Sequence, residues 1–349
     1  MSKKYYPFID IMRIIASLLV IAIHTDPLTS FNPQLNFLIT RVFGRLAVPF
    51  FFMTTAYFLF NQGMPTYAKL KSVIKQFLII DICSILLYLP VQIYNHSLSF
   101  EPIVIVKDLF MDGTFYHLWY LPAVIIGLLI LYELYQHLNE KTIFMIVCIL
   151  YMIGLAGDSY YSYLHQIPLI EAFYTALFKI CDYTRNGFFF APMFLFLGAF
   201  LAQHQWNFKR YVLIFLMLVS FMIFFIETLL IHQQPIITHD AMTLSLPFIS
   251  FFFFSFCLTF QSSKRFVLYK DLSLYVYILH PLMIIVVRMM GKLTHLEHIF
   301  ISQSLFHYLA VTGFSFIIAY LLILLKKGGK IYGYHQKTKK LDKIGRAHV

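Results

Sequence analysis

Charged residues make up only 12% of this 349-residue chain, and Asp and Glu together number 16. Soluble domains carry about 25% charged residues, so a molecule that faces water on all sides is excluded. Cysteine occurs four times. Cys83, Cys148, Cys181 and Cys257 show no CxxC and no metal-ligand spacing, and three of them fall inside apolar segments, so they read as small packed thiols and no metal site is expected. What fills the chain instead is apolar: 60% of it is hydrophobic, with 39 Phe and 24 Tyr. Disordered chains are poor in such residues, so disorder is excluded as well. At roughly 20 apolar residues per crossing, a chain of this length holds about ten spans.

Apolar segments of spanning length fall near 7–27, 35–60, 70–94, 115–136, 142–158, 187–203, 211–232, 243–261, 271–290 and 304–325. The fifth is the least regular, because Gly154, Gly157 and Asp158 interrupt it. Residues 101–112 and 160–186 are too polar to span and are expected as loops or interfacial helices. The fold class is therefore an all-α polytopic membrane helix bundle of about ten transmembrane helices. No cleaved signal is expected, since the first apolar segment has no small-residue cleavage site and leads into further spans.

The 27 Lys and Arg outnumber the acids, but their placement argues against nucleic acid, because no aromatic-basic groove accompanies them. With the N-terminus inside, the internal stretches hold 18 of them: Lys3, Lys4, Lys69, Lys71, Lys141, Lys209, Arg210, Lys264, Arg265, Lys270 and eight after Leu325. The external stretches hold four: Lys107, Lys179, Arg185 and Lys292. That asymmetry places both termini in the cytoplasm. After Leu325 the composition turns abruptly basic, so residues 326–349 are expected as a cytoplasmic linker that follows a membrane domain of residues 1–325. Such a tail also attracts anionic lipid.

Charge inside a span costs at least a few kcal/mol, which makes each buried ionisable group a candidate. The first span carries Asp10, Arg13 and His24. Eleven residues amount to about 1100°, three turns plus about 20°, so Arg13 and His24 share a face roughly 16 Å apart. Arg13 would lie towards the cytoplasm and His24 towards the outside. One reading is a tunnel with an anion clamp at one mouth and a proton-accepting imidazole at the other. The plainer reading is an Arg neutralised by Asp10 and a His at the interface. In the second span Arg41 and Arg45 lie one turn apart on one face, and Pro49 removes the hydrogen bond to the Arg45 carbonyl and should kink the helix. Such a place suits a carboxylate or phosphate, or else an ion pair, for instance with Glu227. His117 and Trp119 open the fourth span at its outer end, where Trp is commonly only interfacial belt. His280, before Pro281, is too deep to reach the interface and suits a structural hydrogen bond or a site equally.

Arg13, ten residues and His24, within FIDIMRIIASLLVIAIH, resemble the Arg/Lys-x10-His motif that opens acyltransferase family 3. RLAVPFFFMTTAYFLF (45–60) resembles the family's second-helix block, although the usual Ser-Gly before the Tyr reads Thr55-Ala56. HLWYLPAVIIGLL (117–129) and LSLYVYILHPLMI (272–284) resemble later blocks, so the likeness covers residues 7–325. It implies a ten-helix membrane protein in which Arg13 and His24 are catalytic, and Asp10, Arg41, Arg45, His117, Trp119, Glu227 and His280 are taken as substrate-binding.

The last residues, Gly345-Arg346-Ala347-His348-Val349, resemble the opening of alanine-racemase-type enzymes, with a cloning scar as the plainer reading. Together with RLAVPFFFM, they point to the family branch fused to VanT-type serine racemases of vancomycin-resistant bacteria. That resemblance implies a multi-pass protein of the bacterial plasma membrane that binds L-serine from outside and passes it to a fused cytoplasmic racemase domain, which could dimerise. The chain itself would hold no cofactor; pyridoxal phosphate would belong to the fused domain. The alternative the family implies is a membrane O-acyltransferase that moves an acyl group from cytoplasmic acyl-CoA to an acceptor hydroxyl.

Overall fold

Ten apolar helices carry the fold: α1 (Pro7–Thr25), α2 (Pro33–Phe60), α3 (Tyr67–Tyr94), α4 (Tyr120–His137), α5 (Glu140–Gly157), α6 (Ala191–Gln203), α7 (Arg210–His232), α8 (Leu246–Leu258), α9 (Val267–Leu293) and α10 (Ser304–Gly345). The computed structural model describes residues 5–204, 208–234, 239–262 and 267–345. Among them there is no strand beyond two isolated bridges, one of them joining Tyr5 to Ser262. In lipid every backbone polar group must be satisfied within the segment, which is why such a sequence folds as helices. Short helices at Pro102–Lys107, Tyr161–Leu164 and Pro168–Leu177 occupy the two stretches expected as loops or interfacial pieces. Lys3, Lys4, Lys264, Arg265 and Arg346–Val349, on which part of the charge asymmetry and the racemase-like ending rest, lie outside the described residues.

Eight of the helices are long and apolar enough to cross a membrane. The exceptions correct the expected spans. At 13 residues each, α6 and α8 are about 20 Å long, against a hydrocarbon core of about 30 Å. Each is shortened at its N-terminus by a built turn. Asn186 Oδ1 accepts from the amides of Phe188 (3.0 Å) and Phe189 (3.2 Å), and Pro192 follows in the first turn of α6. Thr243 Oγ1 accepts from the Leu246 amide (3.2 Å), and Pro247 follows in α8. The fourth helix likewise starts at Tyr120, so His117 and Trp119 stand in the turn before it. By contrast, α5 is unbroken. Gly154 and Gly157 are contact points in it, since a Cβ on Gly157 would lie 2.5 Å from the Tyr174 ring.

Burial sorts the helices. In α2, 61% of the most apolar window is buried, whereas in α3, α7 and α10 only 22% is, so those three present their apolar faces to lipid. The core is built on Phe50, Phe52, Phe60, Phe194 and Phe254 of α2, α6 and α8. A smaller cluster of Ile21, Val276, Met283 and Val311 joins α1, α9 and α10. Cys181 and Cys257 are buried as packed thiols, whereas Cys83 is exposed on the outer flank of α3. The backbone of α10 stays helical through the basic stretch after Leu325, so residues 326–345 begin as an extension of that helix.

Candidate functional site

The end of the bundle where α1 terminates gathers most of the chemistry. Asp26 closes α1 in a left-handed conformation (φ 47°), its amide bonded to the Ala22 carbonyl. Asn36 donates to Asp26 Oδ1 (3.0 Å) and accepts from the Leu28 amide (3.1 Å), which fixes the α1–α2 connection. His24 is thereby held in the last turn of α1, its ring stacked on His280 (centroids 5.3 Å) and edge-on to Tyr116 (4.9 Å). His117 stands on the other side of His280 at 5.4 Å. Three imidazoles that are 93 and 163 residues apart in sequence thus form one cluster.

Pro281 explains how His280 is set. It has no amide hydrogen to give the Tyr277 carbonyl, and His280 Nδ1 takes its place at 2.7 Å. A carbonyl only accepts, so Nδ1 carries a proton, and in the neutral ring Nε2 is left as an acceptor. That Nε2 is buried and finds no partner among the described residues. Tyr88 supports the same break, donating to the Ile278 carbonyl (2.5 Å) and accepting from the Leu282 amide (3.2 Å). A hydrogen-bonded tyrosine here does what the missing helical bond would have done.

In α2 the regular helix gives way to a π-helical turn at Leu38–Phe43 and a 3₁₀ turn at Gly44–Leu46, just before Pro49. Arg41 and Arg45 sit on this stretch, and both reach Asp240: Arg41 Nη1 at 3.0 Å, and Arg45 through Nη2. The anion they meet is therefore a carboxylate of the chain. The suggested partner Glu227 is elsewhere. It accepts from the Tyr160 hydroxyl (2.7 Å), the amides of Leu244 (2.6 Å) and Ser245 (2.9 Å), and the Ser245 hydroxyl. Both its oxygens hold the turn that opens α8, and it is not brought together with the arginines.

Sequence reasoning missed four residues of this end. Arg185, counted there only as a loop charge, lays its guanidinium over the rings of Tyr183 (4.4 Å) and Trp119 (5.5 Å). Its charge reaches both His24 and Arg45. Asp158, read there as an interruption, is a fully buried acid at the end of α5, and Asp240 neutralises the α2 arginines. His239 packs on Tyr183 (4.6 Å). Burial holds its imidazole below the ordinary range; Asp158 and Asp240 draw it up and Arg185 presses it down. Only the run of aromatic and polar residues in 182–186 hinted at any of this.

At the other end Arg13 pairs with Asp10, which also accepts from the Tyr5 hydroxyl, and Arg13 lies over the Phe58 ring at 5.3 Å. The neutralised arginine of the plainer reading is thus what the structure shows. Between the two ends stand Tyr277 and Tyr120, rings 5.5 Å apart, with Tyr120 in reach of the Arg13 charge. A groove of about 590 Å³ between α5, α6 and α8 is lined by apolar side chains such as Phe144, Met152, Phe248 and Phe251. None of the candidate residues lines it. The arrangement suits recognition of a small polar molecule at the His24 end, where three imidazoles offer groups that can donate or accept a hydrogen bond.

The family model described as Acyltransferase domain matches residues 6–324. Among curated proteins, an amino-acid racemase of Enterococcus faecalis is 38% identical over 93% of this chain and 46% of its own length. A serine/alanine racemase of Enterococcus gallinarum is 38% identical over 78% of this chain and 40% of its own. The chain thus spans about half the length of the curated relatives it matches. No solved structure matches it. With the match running across all ten helices and the Arg13–His24 pair in place, this chain belongs to acyltransferase family 3 and is a multi-pass membrane protein.

Proposed function

We propose that the chain is the membrane module of a membrane-bound serine racemase in the bacterial plasma membrane, involved in vancomycin resistance. In this reading both termini are cytoplasmic. L-serine is taken from outside at the His24 end and delivered to a racemase domain joined through the basic linker of residues 326–349. The observation that carries the reading is the shape of the match, in which 93% of this chain pairs with 46% of an amino-acid racemase. More than half of that relative is left for the chemistry its name states. In this reading pyridoxal phosphate belongs to the fused racemase domain, as the racemase names of the relatives suggest. The polar column from His24 through His280, Tyr277 and Tyr120 to Arg13 supports passage of a hydrophilic solute. Asp10 stands at its Arg13 end, and His117 and Trp119 near its His24 end.

A second reading is favoured by one observation: Arg13 and His24 keep the family spacing on one face of α1. In it acyl-CoA phosphates meet Arg13 and His24 removes the acceptor's proton, a step usually worth 10²–10⁴ in rate. The two readings part in a paired measurement of serine accumulation in vesicles and thiol release from acetyl-CoA. Expected are serine accumulation without thiol release by the wild type, and much of the accumulation retained in His24→Gln, which keeps a donor and an acceptor. Thiol release by the wild type that vanishes in His24→Gln and His24→Ala would replace delivery by acyl transfer. The orientation has its own test: a fluorescent tag at either terminus is expected to report cytoplasmic, and a cysteine near Gln234 to label from outside. Labelling only after lysis would reverse the topology.

A further inference from the structure

At the His24 end a buried carboxylate and a half-buried guanidinium lack counter-charges among the described residues. Asp158 is 1% exposed. Its Oδ1 accepts from the amides of Ala241 (2.7 Å) and Met242 (2.8 Å) and from the Ser159 hydroxyl (2.9 Å), while its buried Oδ2 accepts from nothing among the described residues. Arg185 has a buried Nε without a partner and makes no ion pair among them. No Asp or Glu occurs at any position outside the described residues. Arg41 and Arg45 differ in this respect, since Asp240 already answers both.

The two groups are neighbours. Thr184, beside Arg185, donates to the Gly154 carbonyl (2.7 Å) and packs against Gly157, beside Asp158. Tyr183, under the guanidinium, packs on His239, two residues from the amide that Asp158 holds. The charges of both Asp158 and Arg185 act on His239. Yet they do not pair with each other within 4.0 Å. A buried carboxylate without a counter-charge is expensive, and a ligand that carries both charges can answer Asp158 Oδ2 and the Arg185 guanidinium together.

We propose that Arg185 and Asp158 are the two poles of a binding site for a zwitterionic α-amino acid, with the carboxylate on the Arg185 guanidinium and the ammonium on Asp158 Oδ2. Such a ligand carries its carboxylate and its ammonium on one carbon, so it presents opposite charges to both poles at once. Trp119 and Tyr183 fix the plane of the guanidinium, so the arginine is oriented before the ligand arrives. Nearby His24 and His280 are left to meet the side chain, where the His280 Nε2 acceptor matches a hydroxyl hydrogen. The inference rests on the delivery reading for why an amino acid is the ligand; it adds which class of molecule binds and where.

The test is equilibrium binding to the whole chain in nanodiscs, with L-serine, glycine, L-alanine, ethanolamine and 3-hydroxypropionate as probes. The wild type is expected to bind the amino acids and to reject the two probes that carry one charge. Arg185→Gln should weaken amino-acid binding about 10- to 150-fold, the range for losing one charged hydrogen-bonding partner. Asp158→Asn, which keeps an oxygen for the two amides, should weaken it similarly and narrow the gap between L-serine and 3-hydroxypropionate. Thermal melts report whether each variant folds, and Arg185→Lys, which keeps the charge and loses the fork, should fall between wild type and Arg185→Gln. L-serine bound with wild-type affinity by both variants overturns the two-pole site and leaves delivery standing. Glycine or alanine binding that depends on both residues, with none of L-serine, keeps the site and overturns serine delivery. No binding of any amino acid by the wild type overturns the site.

Discussion

Asp240→Ala is expected to destabilise the protein by roughly 3–5 kcal/mol, the usual range for removing one partner of a buried charge pair. The Arg45 side chain is only 9% exposed and shares Asp240 with Arg41. Removing the carboxylate leaves two like charges one helical turn apart, one of them away from water. Arg45→Ala should cost less, because Asp240 keeps Arg41 at 3.0 Å. Asp240→Asn, which retains an acceptor but no charge, should fall between them. Unfolding followed in detergent for the three variants gives the order. Asp240→Ala as stable as wild type, or Arg45→Ala less stable than Asp240→Ala, would refute the account of this cluster.

Gly198→Ala should be nearly as damaging, at about 2–3 kcal/mol for overpacking against a backbone that has no room to yield. A Cβ on Gly198 would lie 2.3 Å from the Met53 carbonyl oxygen and 2.8 Å from Met53 Cα. The obstacle is the main chain of α2, so no rotamer change relieves it and α6 would have to move away from α2. Between membrane helices, attraction comes chiefly from close packing at small residues, and that contact is what the substitution removes. Gly313→Ala in α10 is the control: nothing lies within 4 Å of its Cβ position, and no loss is expected. The same melts decide it, and equal stability of the two variants would mean that the α2–α6 approach is not limited at Gly198.

The membrane class, the helix count and the family were all present in the sequence. Hydrophobic composition and span length are local properties that lipid imposes segment by segment, and a spacing such as Arg13–His24 on one helix follows from helical geometry alone. The same holds for the Arg13–Asp10 pair, whose members are three residues apart on one helix. Helix ends were less legible. Asn186 and Thr243 shorten α6 and α8 by accepting amide hydrogens, a choice that apolar composition does not register.

What only the tertiary structure decided is which charges are answered. Arg41 and Arg45 carry the stronger sequence signal, a pair on one face before a proline, yet Asp240, some 200 residues away, neutralises both. Glu227, suggested as their partner, instead holds the turn into α8. Arg185, in sequence one loop charge among four, becomes a guanidinium with no ion pair among the described residues, and Asp158 keeps one buried oxygen without a partner there. The physical reason is that charge compensation inside a membrane depends on which side chains of distant helices meet in a low-dielectric interior. Spacing along one helix carries no information about those meetings, so the helices could be read from the sequence and the grouping of charges at the His24 end could not.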